Sequence, residues 1–287
     1  MGIVVTVKAG ANASTSSVSA SGYETHIITD QERGSFGIKG SQLKDAVKAY
    51  YGKKPSDVYV HSPTPWNDLY KRYDWEQVRT TLTASSAKIL EVTSEPVIIS
   101  TKTFTNNSSK SATFNASISD QVENTVESNW SQSSTVTAEQ SIHYEIGFLG
   151  TGGGGETSLS YSHTWGTGGS KSQTITVGTD TGVSVELDPG ETVVAELSAS
   201  RGKMKVEVKY VAYLTGQTAV NYENTYKGHH FYGMKINSVM NADNIPTRLE
   251  FKEVVEIGYY SDSQIVIHDG GGKLKQFYEV QPGADAE

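Results

Sequence analysis

The chain of 287 residues contains no cysteine, so it has neither a disulfide framework nor a thiolate for nucleophilic catalysis or metal binding. This absence leaves the cellular compartment open. No stretch reaches the roughly 18 consecutive apolar residues that a membrane-spanning helix needs. The opening MGIVVTVKAG lacks the basic n-region and the apolar core of roughly 7–15 residues that mark a signal peptide. The chain is therefore expected either not to follow the usual secretory route or to be a mature or engineered form. A net charge of −8 removes the electrostatic case for nucleic acid as a partner. Two further absences are local. Proline is missing between Val97 and Asp188, and residues 111–170 hold no Lys or Arg although the chain has 24.

The residues that remain describe a folded protein, with 36% hydrophobic and 20% charged side chains. The length allows one large or two modest domains with a substantial core. Composition changes near position 92, which divides the chain into a head of mixed helix and strand (1–92) and a β module (93–287). In the head, KGSQLKDAVKAYYG sets Leu43, Val47, Tyr50 and Tyr51 at helical spacing, with Ser41 as a possible N-cap and Gly52 as a stop. PWNDLYKRYDWEQVR sets Trp66, Leu69, Tyr70 and Tyr73 at i, i+3, i+4 and i+7. These aromatics read either as core or as a surface on which a glycan or protein stacks, with Trp66, Tyr70 and Tyr73 as the candidate binding residues.

Beyond Thr93 the pattern is almost wholly β. Ser and Thr make up 29 of the 80 residues from 101 to 180, which suits strands wetted on one face. KMKVEVKYVAYL alternates cleanly, placing Met204, Val206, Val208, Tyr210, Ala212 and Leu214 on one face. TITVGTDTGVSVELDPGETVVAELSA, IPTRLEFKEVVEIGYY and SQIVIHDG read as further strands, and QPGADAE as a frayed tail. No repeat of fixed period marks a solenoid or propeller.

Residues 131–170 hold a hairpin with two distinct faces. On the first arm Val136, Ala138, Ile142, Tyr144, Ile146 and Phe148 alternate with Thr137, Glu139, Ser141, His143 and Glu145. On the second arm Leu159, Tyr161, His163 and Trp165 alternate with Ser158, Ser160, Ser162 and Thr164. Pairing Ile146 with Leu159 brings Tyr144 opposite Tyr161 and Ile142 opposite His163, so both arms share one apolar and one polar surface. Any half-buried hairpin alternates in this way. Three features favour a membrane-inserting one. Each arm reaches the roughly 9–11 residues of a tilted membrane strand. Basic residues, which would cost about 2–4 kcal/mol at the bilayer midplane, are absent. The tip, GFLGTGGGGE, joins apolar Phe148 and Leu149 to a glycine hinge. A lone hairpin would carry unpaired backbone into hydrocarbon, whereas several copies closed into a barrel would not. The apolar set would then face lipid, and the polar set, with Glu156 near the tip, would line the lumen. Carboxylates without accompanying Lys or Arg make such a lumen cation-selective. His163 shares the lipid face, where its protonation would disfavour insertion.

Enzymatic readings find little support. The glycines of GTGGGGE are not followed by the Lys-Ser/Thr of a phosphate loop. Adjacent His229 and His230 point to opposite faces of a strand and do not chelate one metal. Glu253 and Glu256 read as strand-face charges, and no Ser/His/Asp arrangement can be assembled from spacing. No catalytic residue, metal or cofactor is expected.

The segments TKTFTNNSSKSATFNASISDQVENTV, SYSHTWGTGGSKSQTITV and VELDPGETVVAELSASRGKMKVEVKYVAYL resemble the aerolysin-like β-pore-forming proteins, in the branch of clostridial epsilon toxin and the mosquitocidal toxins. PWNDLYKRYDWEQVR and TAVNYENTYKGHHFYGMKIN are similar to the spherulin and follicular-epithelium yolk-protein group of the same superfamily. The resemblance covers roughly residues 60–260. It implies an elongated, mostly β fold of long antiparallel strands with an α+β head. It also implies a secreted, soluble protein that acts outside the cell on a target membrane. Such a protein binds an unidentified surface receptor, glycan or protein, assembles as a homo-oligomeric ring and refolds its hairpin into a β-barrel pore. The same resemblance allows two alternatives, a non-enzymatic storage or encystment protein and a glycan-binding lectin.

Overall fold

The computed structural model describes residues 2–130, 141–149, 156–164 and 168–280. The N-terminal half runs β1 (Ile3–Ala9), β2 (Ser17–Ser21), β3 (Tyr23–Ile27), α1 (Asp30–Ser35), α2 (Ser41–Tyr51), β4 (Asp57–Tyr59), α3 (Pro65–Tyr73), β5 (Arg79–Thr105) and β6 (Ala112–Trp130). After these come β7 (Ser141–Leu149), β8 (Glu156–Thr164), β9 (Gly169–Leu187), β10 (Thr192–Thr215), β11 (Gln217–Tyr226), β12 (His229–Lys235), α4 (Ile236–Ala242), β13 (Arg248–Asp269) and β14 (Leu274–Glu279).

The clean alternation of KMKVEVKYVAYL makes β10 the spine. Its apolar positions from Met204 to Leu214 are all buried on one face. β5 pairs with one edge of this strand, from Thr192↔Thr105 to Thr215↔Arg79, and β13 pairs with the other, from Val193↔Asp269 to Tyr213↔Arg248. The 27 residues of β5, at roughly 3.3 Å each, extend about 90 Å, so the fold is elongated and mostly antiparallel β. This seven-stranded sheet runs β3-β5-β10-β13-β6-β9, with β14 on β13. β6 pairs with β13 only over Thr125–Trp130; farther along, β14 takes that place beside β13. There β6 and β9 pack across β10 and β13 as a sandwich, closed over Ile118, Val177, Val185, Leu197 and Ile265.

The head is discontinuous in sequence. β11, β12 and β4 form a three-stranded sheet, and α4 packs against α2, so residues 217–242 belong with the helices of the N-terminal segment. β5 crosses position 92 without a break. The composition change there marks the region where one long strand leaves the head, because strand hydrogen bonding continues regardless of which surface its side chains meet. β1 and β2 form part of a separate sheet. α2 ends at Gly52, whose φ of 95° supplies the left-handed cap expected of it, but Gly40 stands at the N-cap and Ser41 is already helical. α3 departs from the regular face read from its spacing. Trp66, Asn67 and Asp68 have φ between 58° and 63°, and Thr64 Oγ1 accepts from Leu69 N at 2.7 Å across that irregular turn.

One glycine lets the long strands accept an aromatic ring. Gly202 of β10 stands opposite Tyr259 of β13, and a Cβ at Gly202 would lie 2.3 Å from that ring. The ring lies across the strand, and its hydroxyl donates to Gly10 O at 2.6 Å. Gly202→Ala is expected to destabilise the protein by about 1–3 kcal/mol through overpacking, measured by urea denaturation. In a Tyr259→Leu background the same substitution should cost less than half as much. An equal cost in both backgrounds would show that the ring is not what Gly202 accommodates.

Candidate functional site

β7 and β8 form the hairpin read from the sequence, and their ladder has the expected register. Ile146 stands opposite Leu159, Tyr144 opposite Tyr161 and Ile142 opposite His163. The alternating apolar side chains therefore share a face. Ile142, Tyr144, Ile146, Phe148, Leu159 and Tyr161 are all buried, within the same core as Val206, Val208, Tyr210, Val255 and Tyr259 of the long sheet. The opposite face carries Ser141, Glu145, Ser158, Ser160 and Ser162, all exposed, and half-buried His143, whose Nδ1 lies 2.9 Å from Ser162 Oγ. Leu149 and Glu156 pair at the end of the ladder, but their side chains lie outside what the structure describes. Val136, Thr137, Ala138, Glu139 and Trp165 also lie outside the described residues.

The way this hairpin is held was not legible in its own sequence. Its strands are absent from the seven-stranded sheet. They belong to a four-stranded sheet of order β2-β1-β7-β8, in which β1 runs parallel to β7 from Ile3↔Ile142 to Ala9↔Phe148. β1 qualifies because Ile3, Val5, Val7 and Ala9 alternate as β7 does and bury the same face. The body thus grips the hairpin through side chains, and the one strand ladder tying β7 to the rest of the described chain is that with β1. On the outer side of β8, Lys171 Nζ donates to Ser160 O at 2.8 Å.

Beneath the apolar face lies a polar knot. Glu253 was read as a strand-face charge beside Glu256, yet the two have opposite parity. Glu256 points outward and meets Lys203 and Lys205 at 2.9 Å each. Glu253 shares the buried face of β13 with Phe251, Val255 and Ile257 and is 0% exposed. Ser128 of β6 donates to its Oε1 and Tyr144 of β7 to its Oε2. Tyr210 of β10 donates to Oε2 at 2.7 Å, and His163 Nε2 of β8 lies 3.0 Å from Oε1. Burial, then the Glu253 charge, pushes the Tyr144 and Tyr210 hydroxyls far above the ordinary phenol value, so both stay neutral donors. Burial pulls the His163 imidazole down, but the hydrogen bond and charge of Glu253, with a smaller contribution from the Thr164 carbonyl, outweigh it and leave its pKa raised. The parity of RLEFKEVVEIGYY was the signal that could have placed Glu253 inside.

The head aromatics separate into two roles. Tyr70 is buried, its hydroxyl donating to Tyr59 O at 2.8 Å and Gln217 O at 3.0 Å; burial raises its phenol pKa. It fastens α3 to β4 and β11, which corrects its assignment as a surface residue. Trp66 and Tyr73 are 40% and 41% exposed. They meet through Phe231, with ring centroids 5.1 Å and 6.3 Å from it, and Tyr73 stacks on Trp75 at 4.8 Å. Phe231 joins this patch from β12, some 165 residues from Trp66 in sequence, and no local pattern could have found it. His229 and His230 occupy β12, with His230 Nδ1 2.8 Å from Tyr222 O. Among the described residues no group of three or more His, Asp or Glu is placed to hold a metal.

No family model matches the chain. Its sequence is 36% identical over 252 residues to U-megalopygitoxin(8)-Mo12 of Megalopyge opercularis, covering 88% of this chain and 86% of the relative. It matches U-megalopygitoxin(8)-Mc8 of Megalopyge crispata at the same identity and coverage. Among solved structures, parasporin-2, a Bacillus thuringiensis toxin that recognizes cancer cells, superposes with a TM-score of 0.66 at 17% identity, covering 90% of this chain and all of that one. That likeness concerns the fold, with its long antiparallel strands. The chain belongs to the U-megalopygitoxin(8) family and shares the elongated, mostly antiparallel β fold of parasporin-2.

Proposed function

We propose that this protein is a secreted, non-enzymatic pore-forming toxin. It binds a target cell surface, assembles into a ring of identical subunits and inserts residues 131–170 as one hairpin per subunit of a transmembrane β-barrel. The observation that carries this reading is how β7 and β8 are held. They form a two-faced hairpin docked by its apolar side chains and absent from the body's own sheet. Burying a side chain such as Ile142, Ile146 or Phe148 is worth about 1.5–3 kcal/mol. A lipid core supplies an equivalent apolar environment, so the hairpin can exchange body for bilayer at little net apolar cost. The backbone groups freed from β1 would pair with neighbouring hairpins once the barrel closes. The family's toxin names and the fold support the same reading. The patch of exposed Trp66 and Tyr73 about half-buried Phe231 is the proposed receptor-facing surface, since aromatic faces stack on sugars and on protein partners alike.

Two measurements test this reading. Thr6 and Glu145 are cross-strand neighbours on β1 and β7, at positions that alternate with the buried set. In the cysteine-free chain, Thr6→Cys combined with Glu145→Cys should form a bridge that abolishes dye release from target membranes until reductant is added. Undiminished release with the bridge verified by mass would show that β7 need not leave β1. The second measurement is the reversal potential across a planar bilayer under a potassium chloride gradient. Glu139 and Glu145, repeated around a lumen, should favour cations most clearly at low salt. Changing both to Lys should reverse the sign, and an unmoved potential would place these residues away from the lumen.

A further inference from the structure

Five strands converge on one carboxylate, and two of them belong to the hairpin. Ser128, Tyr210 and Glu253 come from the body, whereas Tyr144 and His163 would leave with β7 and β8. His163 is met by Glu253 from β13, Tyr144 from β7, Tyr161 from its own strand, Trp130 from β6 and Gly169 from β9, and its Nδ1 lies 3.2 Å from the Thr164 carbonyl. Tyr144 stacks on its ring at 5.0 Å, Tyr161 lies at 5.7 Å and Trp130 meets it edge-on at 6.3 Å. Among the described residues the charged partner of this imidazole is Glu253, at 3.0 Å. The apolar face around the knot is nearly indifferent between body and lipid. The hydrogen bonds to Glu253 are not, because lipid offers Tyr144 and His163 no carboxylate.

We propose that Glu253 is the latch of the insertion hairpin. Its two carboxyl oxygens hold β7 and β8 on the body through Tyr144 and His163, and breaking those bonds sets the threshold for release. The proposal rests on the pore-forming reading for its purpose, although latching itself is a property of the soluble protein. The geometry also fixes a direction with pH. A His163 pKa raised in the docked state gives a stabilisation fully present below the ordinary imidazole value and lost as pH rises through the raised one. The hairpin is therefore held more tightly at pH 6 than at pH 8. A charged His163 also resists lipid, so both effects suppress insertion in mild acid.

The test is amide hydrogen exchange of the full chain in solution without membranes, followed over residues 141–149 and 156–164 at several pH values and corrected for intrinsic rates. It is run beside dye release from phosphatidylcholine–cholesterol vesicles. Glu253→Gln keeps the side chain's shape but places a donor where two donors already point. Exchange in the hairpin should rise at least about tenfold, the factor expected for one lost hydrogen bond to a charged group. The β10–β13 ladder at 192–198 and 264–268 should stay protected. The pH dependence should flatten or reverse, because a buried His163 without its counter-charge prefers to be neutral. Tyr144→Phe removes one hairpin donor with less risk to folding; it should loosen the hairpin alone and add little in the Glu253→Gln background. Unchanged hairpin protection in both variants, or an unaltered pH profile in Glu253→Gln, would overturn the latch whatever the vesicles do. Loosening of hairpin and ladder together in both variants would overturn it as well. Faster exchange confined to the hairpin, with no dye release from any form including wild type, would sustain the latch and count against the pore-forming reading.

Discussion

The seam between the β7–β8 hairpin and the long β10–β13 pair governs how the rest of this structure is built. A two-faced hairpin needs somewhere to put its apolar side, and in this structure that place is the buried face of β10 and β13. Had the hairpin joined the long sheet as another strand, backbone bonds would hold it on both sides. Instead it stands in a second sheet with β1, and the contact with the body consists of side chains. Non-directional apolar contact allows the same surface to be satisfied by another apolar medium. A backbone ladder would allow no such exchange without replacement of every bond.

Elsewhere the architecture keeps that seam in register. Gly202 makes room for Tyr259, whose ring supports Phe148 at 6.0 Å and whose hydroxyl reaches the turn that follows β1. The same aromatic therefore touches the body, the hairpin and the strand that tethers it. The Glu253 knot lies farther along the same face, where Tyr144, Tyr161 and His163 stack against one another. Apolar packing supplies most of the attraction along this seam, and the carboxylate makes the attachment specific. A buried charge with four partners tolerates the loss of none of them cheaply.

The head follows a different logic. Its small sheet and helices draw on residues from two distant stretches of chain, and Tyr70 ties them together by donating to carbonyls of both β4 and β11. The irregular turn at Trp66–Asp68 rotates Trp66 outward while Leu69 and Tyr70 turn in. A regular helix would have kept Trp66, Leu69, Tyr70 and Tyr73 on one side. The break in helical geometry is what divides core from surface in this segment.

The sequence by itself determined whatever depends on periodicity. The two-residue alternation of β7, β8 and β10 established their faces, and opposed parity in the two arms excluded every one-residue slip from the register Ile146↔Leu159, because such a slip would invert every side chain. Cysteine-free composition, the absence of basic residues from 111–170 and the aerolysin-like resemblance were equally legible. Tertiary structure alone decided what covers the apolar face, that β1 runs parallel to β7 across more than a hundred residues, that Phe231 joins Trp66, and that Tyr70 is interior. Such pairings leave no local periodic trace, since they depend on which of several compatible surfaces meet after the chain collapses. Glu253 stands between the two cases. Its parity with Phe251 and Val255 was present in the sequence, but only the assembled fold supplied the four donors that allow a carboxylate to be buried there.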